Sequence, residues 1–264
     1  MPPMMESILL TVDPRGVATL TLNREECHNA INRDCANLLN TNLQILDEDP
    51  EIRVVVITGS GISFSAGHDI AALRATLDAP LEALEHEARE YARLLATLDH
   101  LSKPTIARVQ GAAFGLGVGL IACCDFAIAS SDALFGFSEV HQGTISSTIA
   151  PYVIRAIGAR AARRYFLSTE RFNASKAKRL GLLHQDLQRA QLDRAMEQLA
   201  HQLLINGPLA MSATKQMVRQ IEHRPIDETL IESLIQQSAR TRASEEGREG
   251  VAAFIEHRKP QWVK

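Results

Sequence analysis

The sequence is short of cysteine, of net charge and of long apolar runs, and each shortage removes a class of protein. Four cysteines in 264 residues (Cys27, Cys35, Cys123 and Cys124), none in a CxxC pair, are too few for a disulfide-built scaffold. Adjacent Cys123 and Cys124 lie in an apolar run and read as reduced, buried packing residues of a cytoplasmic protein. Lys+Arg 28 against Asp+Glu 31 leaves −3, so no basic surplus points to nucleic acid or anionic lipid. The uncharged run from Gly111 to Cys124 is 14 residues long, too short to span a bilayer. The start, MPPMMESILL, lacks a basic region leading into a long apolar stretch, so no secretory leader is expected. No His/Cys/Asp/Glu cluster has metal-ligand spacing, so no metal is expected, and no GxxxxGK[ST] phosphate loop occurs. Apolar residues at 45% and charged residues at 22% are ordinary globular usage, which excludes disorder and collagen-like repeats.

What is present is an α/β pattern. Ile8 to Val12 and Val17 to Leu22 are β-rich, and Asp13-Pro-Arg-Gly16 between them supplies a hairpin turn. Asn29 is expected to cap a helix running to about Asp47, with Leu38, Leu39, Leu43 and Leu46 on one side. Val54-Val-Val-Ile-Thr58 reads as a strand covered on both faces, followed by a Gly/Ser-rich loop to Asp69. Leu81, Leu84, Ala88, Tyr91, Leu95, Leu98 and Leu101 recur at helical spacing, and Lys103-Pro104 stops that helix. Thr105 to Val109 and Phe126 to Ala129 are further strands, with a glycine-rich turn and a short apolar helix between them. The resulting β-α-β-α-β order implies right-handed crossovers and a largely parallel sheet. After about Ala150 strand signals stop. Asn173 caps a helix ending at Gly181, Pro208 opens another, and helical patterns continue to Ile255. The expected layout is an α/β core over residues 1–200 and a helical C-terminal region over 201–264.

Two glycine-bearing loops, Ser65-Ala-Gly-His-Asp-Ile70 and Gly111 to Gly119, each follow a buried strand, where α/β sheets place their ligands. Free N–H groups at such turns and at a helix N-terminus, if aimed at one oxygen, make an oxyanion hole. Gly115-Leu-Gly-Val-Gly119 resembles part of the dinucleotide fingerprint GxGxxG, but its third glycine is misplaced and it lies far from the first βα turn. The plain alternative is that these glycines serve only tight packing.

Leu22-Asn-Arg24, His28-Asn-Ala30, Phe64 to Ile70, Lys103-Pro-Thr-Ile-Ala107, Gly111 to Asp125, Phe135-Gly-Phe-Ser-Glu139, Ala177 to Leu182, Arg248 to Phe254 and Lys259-Pro260 form an ordered set of fragments. With them the chain resembles the enoyl-CoA hydratase/isomerase, or crotonase, superfamily over nearly its whole length. The resemblance implies a crotonase-like α/β fold of ββα units in a spiral core, with a C-terminal helical trimerisation region. It implies an acyl-CoA substrate, with coenzyme A part of the substrate and no separate cofactor. The thioester oxygen would take hydrogen bonds from the backbone amides of His68 and Leu116, in place of the family's usual small residue and glycine. Glu139 falls at the family's acid/base glutamate.

The resemblance further places Arg24, Ala30 and the backbone of Ala66, Asp69 and Ile70 around coenzyme A, with Lys259 reaching a neighbouring subunit's ligand. His141, two residues past Glu139, is a weaker candidate for contact with water or substrate. Gly119 stands where hydratases of this family commonly carry a second glutamate. A lone carboxylate suits a Δ3,Δ2-enoyl-CoA isomerase, yet Gly119 to Asp125, Ser138-Glu139-Val140 and Ala156 to Tyr165 look like bacterial hydratases of 3-methylglutaconyl-type acyl-CoAs. The favoured expectation is the hydratase, with the isomerase or a non-catalytic acyl-CoA-binding scaffold as alternatives. Ser146, Ser147 and Thr148, where some relatives carry a nucleophilic Asp, argue against a dehalogenase. Arg160, Arg163 and Arg164 read as a solvated helix face. The implied assembly is a homotrimer or homohexamer.

Overall fold

A computed structural model of the chain describes residues 6–222 and 224–263. Met1 to Met5, part of the opening stretch read above for a leader, lie outside them. The first half contains β1 (Ile8–Val12), β2 (Val17–Leu22), α1 (Arg33–Glu48), β3 (Val54–Gly59), α2 (Ile70–Ala75), α3 (Leu81–His100), β4 (Thr105–Val109), β5 (Ala113–Phe114), α4 (Leu116–Cys123) and β6 (Phe126–Ser130). The second half continues with β7 (Leu134–Gly136), α5 (Ala150–Ser168), β8 (Phe172–Asn173), α6 (Ala174–Leu180), β9 (Gln185–Leu187), α7 (Leu192–Leu204), α8 (Pro208–Ile221), α9 (Glu228–Ala243) and α10 (Glu245–Ile255).

Among the described residues one sheet runs β1-β2-β3-β4-β6-β9, parallel except for the β1–β2 hairpin, and a smaller one runs β5-β7-β8. The hairpin turns because the Asp13 carboxylate accepts from the N–H groups of Arg15 and Val17 (2.9 and 3.0 Å). Every residue of β3 is buried, as its unbroken apolar run requires. One side of the main sheet packs on α1, α3 and α4 through Leu20, Leu39, Leu43, Leu94, Leu98 and Leu120, and the other packs on α7 through Val54, Val56 and Leu203. Each such side chain, fully buried, contributes roughly 1.5–3 kcal/mol.

Two expectations need correction. Asn29 does not cap α1. That role belongs to Asn32, whose Oδ1 accepts from the Cys35 N–H at 2.9 Å. Asn29 is buried in the left-handed region (φ 56°) and ties two loops together. Its Oδ1 accepts from the Arg24 N–H at 2.9 Å, and its Nδ2 donates to the carbonyls of Ser60 and Ser63 at 2.9 Å each. Strands also continue past Ala150, since β8 joins the small sheet and β9 pairs in parallel with β6. By contrast α6 runs from an Asn173 cap to a left-handed Gly181, and α8 opens on Pro208. The four cysteines are unpaired, with Cys123 buried and Cys124 half-buried. No helix of the described residues is long and apolar enough to cross a membrane.

Candidate active site

Both glycine-bearing loops leave the same end of the sheet, past the carboxyl ends of the neighbouring parallel strands β3 and β4, and backbone bonds stitch them together. The amides of Phe64 and Ser65 both donate to the Ala112 carbonyl (2.9 and 3.1 Å), and the Phe114 amide donates to the Ser65 carbonyl at 2.9 Å. Ile31 grips the first loop on either side of His68: its N–H donates to Gly67 (2.7 Å), and its carbonyl accepts from Asp69 (3.2 Å). A residue opposite such a parallel bridge turns its own N–H the other way. The His68 amide is therefore presented away from Ile31. Leu116 opens α4, so its amide has no carbonyl one turn back. Neither amide is a donor in the hydrogen bonds of the described residues. The two turns adjoin, because a Cβ placed on Gly67 would lie 3.5 Å from the Leu116 nitrogen. The Leu116 side chain packs in the core.

Glu139 begins a 3-10 turn, Glu139–Gln142, directly after β7 and a short Phe137-Ser138 link. Its residue is 7% exposed, and its Oε2 is buried without a hydrogen-bond partner. A buried carboxyl oxygen left unbonded in a native fold calls for an explanation. The carboxyl lies on the Cα of Gly115, where a Cβ would stand 2.7 Å from Oε1. Gly115 also holds φ at 48°, so glycine is required there on two counts. The Glu139 carbonyl accepts from the amide and hydroxyl of Thr144 (2.9 and 3.0 Å), which fixes the turn. The acid thus sits against the residue that precedes the Leu116 amide.

Gly119 lies one turn further along α4. A Cβ there would overlap Ile149 Cγ2 and lie 3.0 Å from Ile149 Cβ and 3.4 Å from Leu95 Cδ2. Ile149 and Leu95 fill the place a side chain at this position would need. The His68 ring is half-buried and meets Tyr91 edge-on, with ring centroids 4.8 Å apart. Burial pushes its imidazole below the usual value, against the pull of the Glu139 and Glu87 carboxylates. The Tyr91 hydroxyl donates to Glu87 at 3.2 Å. Sequence reasoning missed Ile149 as a site residue and assigned Tyr91 and Leu95 only to helix packing. The apolar spacing of Tyr91 and Leu95 marked burial, and nothing in it marked which side chains or loops they meet.

Arg24 is bound to Asp69 at 2.7 Å and donates to the Ala30 carbonyl at 2.8 Å. Asp69 also caps α2, accepting from the amides of Ala71 and Ala72. These two predicted ligand residues are brought together, chiefly in service of one another. Ala30 is buried, whereas Ala66 and Ile70 are exposed along the same loop. His141 is exposed on the 3-10 turn, unlike Glu139. Lys259 is exposed beyond α10. Arg160, Arg163 and Arg164 are exposed on α5. A cavity of about 740 Å³ lies elsewhere, bordered by Cys123 and Cys124 beside α4, Arg155 on α5 and Met211 and Lys215 on α8, so volume alone does not mark the site.

The family model described as enoyl-CoA hydratase/isomerase matches residues 13–264. The chain belongs to the enoyl-CoA hydratase/isomerase family. This family member is 39% identical to an enoyl-CoA hydratase from Shewanella pealeana, with a TM-score of 0.94 over 98% of this chain and 97% of that one. It is 32% identical to a crotonyl-CoA hydratase of Syntrophomonas wolfei, covering 98% of each chain. It is also 33% identical to a 2,3-dehydroadipyl-CoA hydratase of Escherichia coli, covering 97% of this chain and 98% of that protein. The α/β core with its C-terminal helices is therefore the crotonase fold.

Proposed function

We propose that the protein is an enoyl-CoA hydratase that adds water across the 2,3 double bond of an acyl-CoA thioester, with branched 3-methylglutaconyl-type chains as its substrates. The observation that carries this reading is the buried, unpartnered Glu139 carboxyl set against Gly115, beside the two undonated amides of His68 and Leu116. The Glu139 carboxylate takes a proton from water as the water oxygen bonds to C3. The double-bond electrons move through C2 to the thioester oxygen, where the two amides hold the charge. Glu139 then returns the proton to C2, so one water is added and the carboxylate is restored. Donors of this kind are worth roughly 2.7–4 kcal/mol of barrier each. Proton transfer and oxygen addition need no metal or organic cofactor beyond the coenzyme A of the substrate.

Relatives named as hydratases support the reaction. Backbone at Ala66, Asp69 and Ile70, with Arg24 and Ala30 behind it, lines the coenzyme, and Lys259 meets the phosphates of a neighbour's ligand. His141 stays at the rim. The unpaired cysteines support a reducing, cytoplasmic setting, and the assembly is a homotrimer or homohexamer. One observation favours a second reading. Ile149 fills the position of a second glutamate, and a lone carboxylate also serves a Δ3,Δ2-isomerase that moves one proton between C4 and C2.

The test is a panel of 3-methylglutaconyl-CoA, crotonyl-CoA and a 3-enoyl-CoA, followed by absorbance of the conjugated thioester. Hydration removes that absorbance and isomerisation creates it. Glu139→Gln is expected to lower turnover by at least about 10²–10⁴-fold. Retention of most activity by this variant overturns the mechanism. Binding of acyl-CoA with neither turnover nor α-proton exchange in D2O identifies a scaffold instead.

A further inference from the structure

We propose that the His68 imidazole is the second group that holds the reacting water, in the place that Ile149 denies to a carboxylate at position 119. The inference rests on the hydratase reading and names how this chain orients its nucleophile with only one glutamate. Water attacking C3 must be held by more than the base that deprotonates it, because one hydrogen bond leaves the oxygen free to swing. The side of the site toward Gly119 is closed by Ile149 and Leu95. Of the remaining polar groups, the Tyr91 hydroxyl is bound to Glu87 and His141 is exposed.

The His68 ring stands on the same residue that offers the oxyanion amide, half-buried and braced edge-on by Tyr91. Neither ring nitrogen is hydrogen-bonded within the described residues, and Glu139 Oε2 is likewise without a partner. Two charged groups act on the ring, Glu139 from the 3-10 turn and Glu87 from α3. Burial favours the neutral imidazole, which keeps one nitrogen as an acceptor. In the step, one water hydrogen goes to Glu139 as the oxygen bonds to C3. The other stays on that oxygen and is hydrogen-bonded to the imidazole, which neither gains nor loses a proton. Glu139 then delivers its proton to C2, leaving a 3-hydroxyacyl-CoA.

The test compares two reactions of the same site. Hydration of crotonyl-CoA or 3-methylglutaconyl-CoA needs the held water. Exchange of the α-protons of butyryl-CoA in D2O needs only Glu139 and the two amides. His68→Phe keeps a ring against Tyr91 and removes the nitrogens, and His68→Gln restores a polar group. For His68→Phe the expected result is a fall in hydration kcat of about 10²-fold with KM within about threefold, the loss in hydration exceeding any loss in exchange by at least about tenfold. His68→Gln is expected to recover part of the lost kcat. Unchanged hydration by His68→Phe overturns the inference while leaving the hydratase reading intact. If His68→Phe loses both reactions, His68→Gln decides: equal loss of both in that variant assigns the ring to packing and overturns the inference. A wild-type protein that hydrates neither substrate overturns the hydratase reading and this inference with it.

Discussion

At the scale of single residues, the proposed site is defined as much by what Gly119 excludes as by what Glu139 would supply. A glutamate at 119 is the obvious way to give this chain a second carboxylate, and the packing forbids it. Its Cβ would run into Ile149 and press on Leu95. Gly119→Glu is expected to destabilise the fold by about 1–3 kcal/mol, the usual range for overpacking, and to reduce turnover. Urea unfolding of Gly119→Glu beside Gly119→Glu/Ile149→Ala checks this, with the double variant recovering part of the loss. Full stability of the single variant contradicts the packing described. Glu139 was picked out in the sequence because Phe135-Gly-Phe-Ser before it resembles the family segment that leads to the acid/base glutamate, and its buried carboxyl beside Gly115 supports the proposed role. Ile149 was not, since it meets Gly119 only through the way α4 and the loop before α5 lie together. The same holds for Asn29, which satisfies a helix-cap pattern in sequence and is claimed by three backbone groups from other loops.

At the scale of elements, the loop over residues 65–70, which carries the proposed oxyanion amide of His68, is anchored by the start of α2. Asp69 does two jobs there: one oxygen caps the helix and the other meets Arg24. Burial tends to raise the Asp69 carboxyl, but the Arg24 guanidinium and the amides of Ala72 and Ala71 outweigh it and hold the group below the usual 3.8. A carboxyl depressed in the folded state contributes stability that is complete above its unfolded value and is lost as pH falls through the folded one. Asp69→Asn keeps an oxygen for the cap and removes the ion pair. It is expected to cost about 1.5–3 kcal/mol at pH 7, the range for a hydrogen bond to a charged group. The gap from wild type is expected to close below about pH 4. Urea midpoints measured from pH 7 down to pH 3 read both effects, and a gap independent of pH contradicts the pairing. The cap of α6 was readable because it is a local bond, Asn173 Oδ1 accepting from the Lys176 N–H three residues on, whereas the first amides of α8 after Pro208 are held by the distant Glu246 carboxylate, which no local pattern conveys. Strands β7, β8 and β9 were missed because two or three residues are too few to display a period. Pairing across the sheet, and not local preference, makes Gln185–Leu187 a strand.

At the scale of the whole molecule, the two regions differ in how well one chain satisfies them. The core buries its sheet on both faces, and this was foreseeable from the apolar runs of β3 and β4. The C-terminal helices do not reach that state alone. Among the described residues α8 buries none, α9 buries Leu230 and α10 buries Ala253. Leu209, Val218, Ile231, Ile235, Val251, Phe254 and Ile255 are exposed on the same three helices, and Phe254 is 82% exposed. Apolar surface on this scale, on helices with so little core of their own, supports the interface between copies proposed above. The assembly proposed above therefore predicts a particle of three or six times 29.0 kDa in sedimentation. Phe254→Asp places a charge on that surface and is expected to shift the population toward single chains without unfolding the α/β core. Its far-UV circular dichroism should match wild type while its sedimentation coefficient falls. If Lys259 of one chain meets the ligand of the next, KM for acyl-CoA rises in the same variant and kcat per active site holds. A wild-type protein that sediments as one chain removes the interface and the shared ligand contact together.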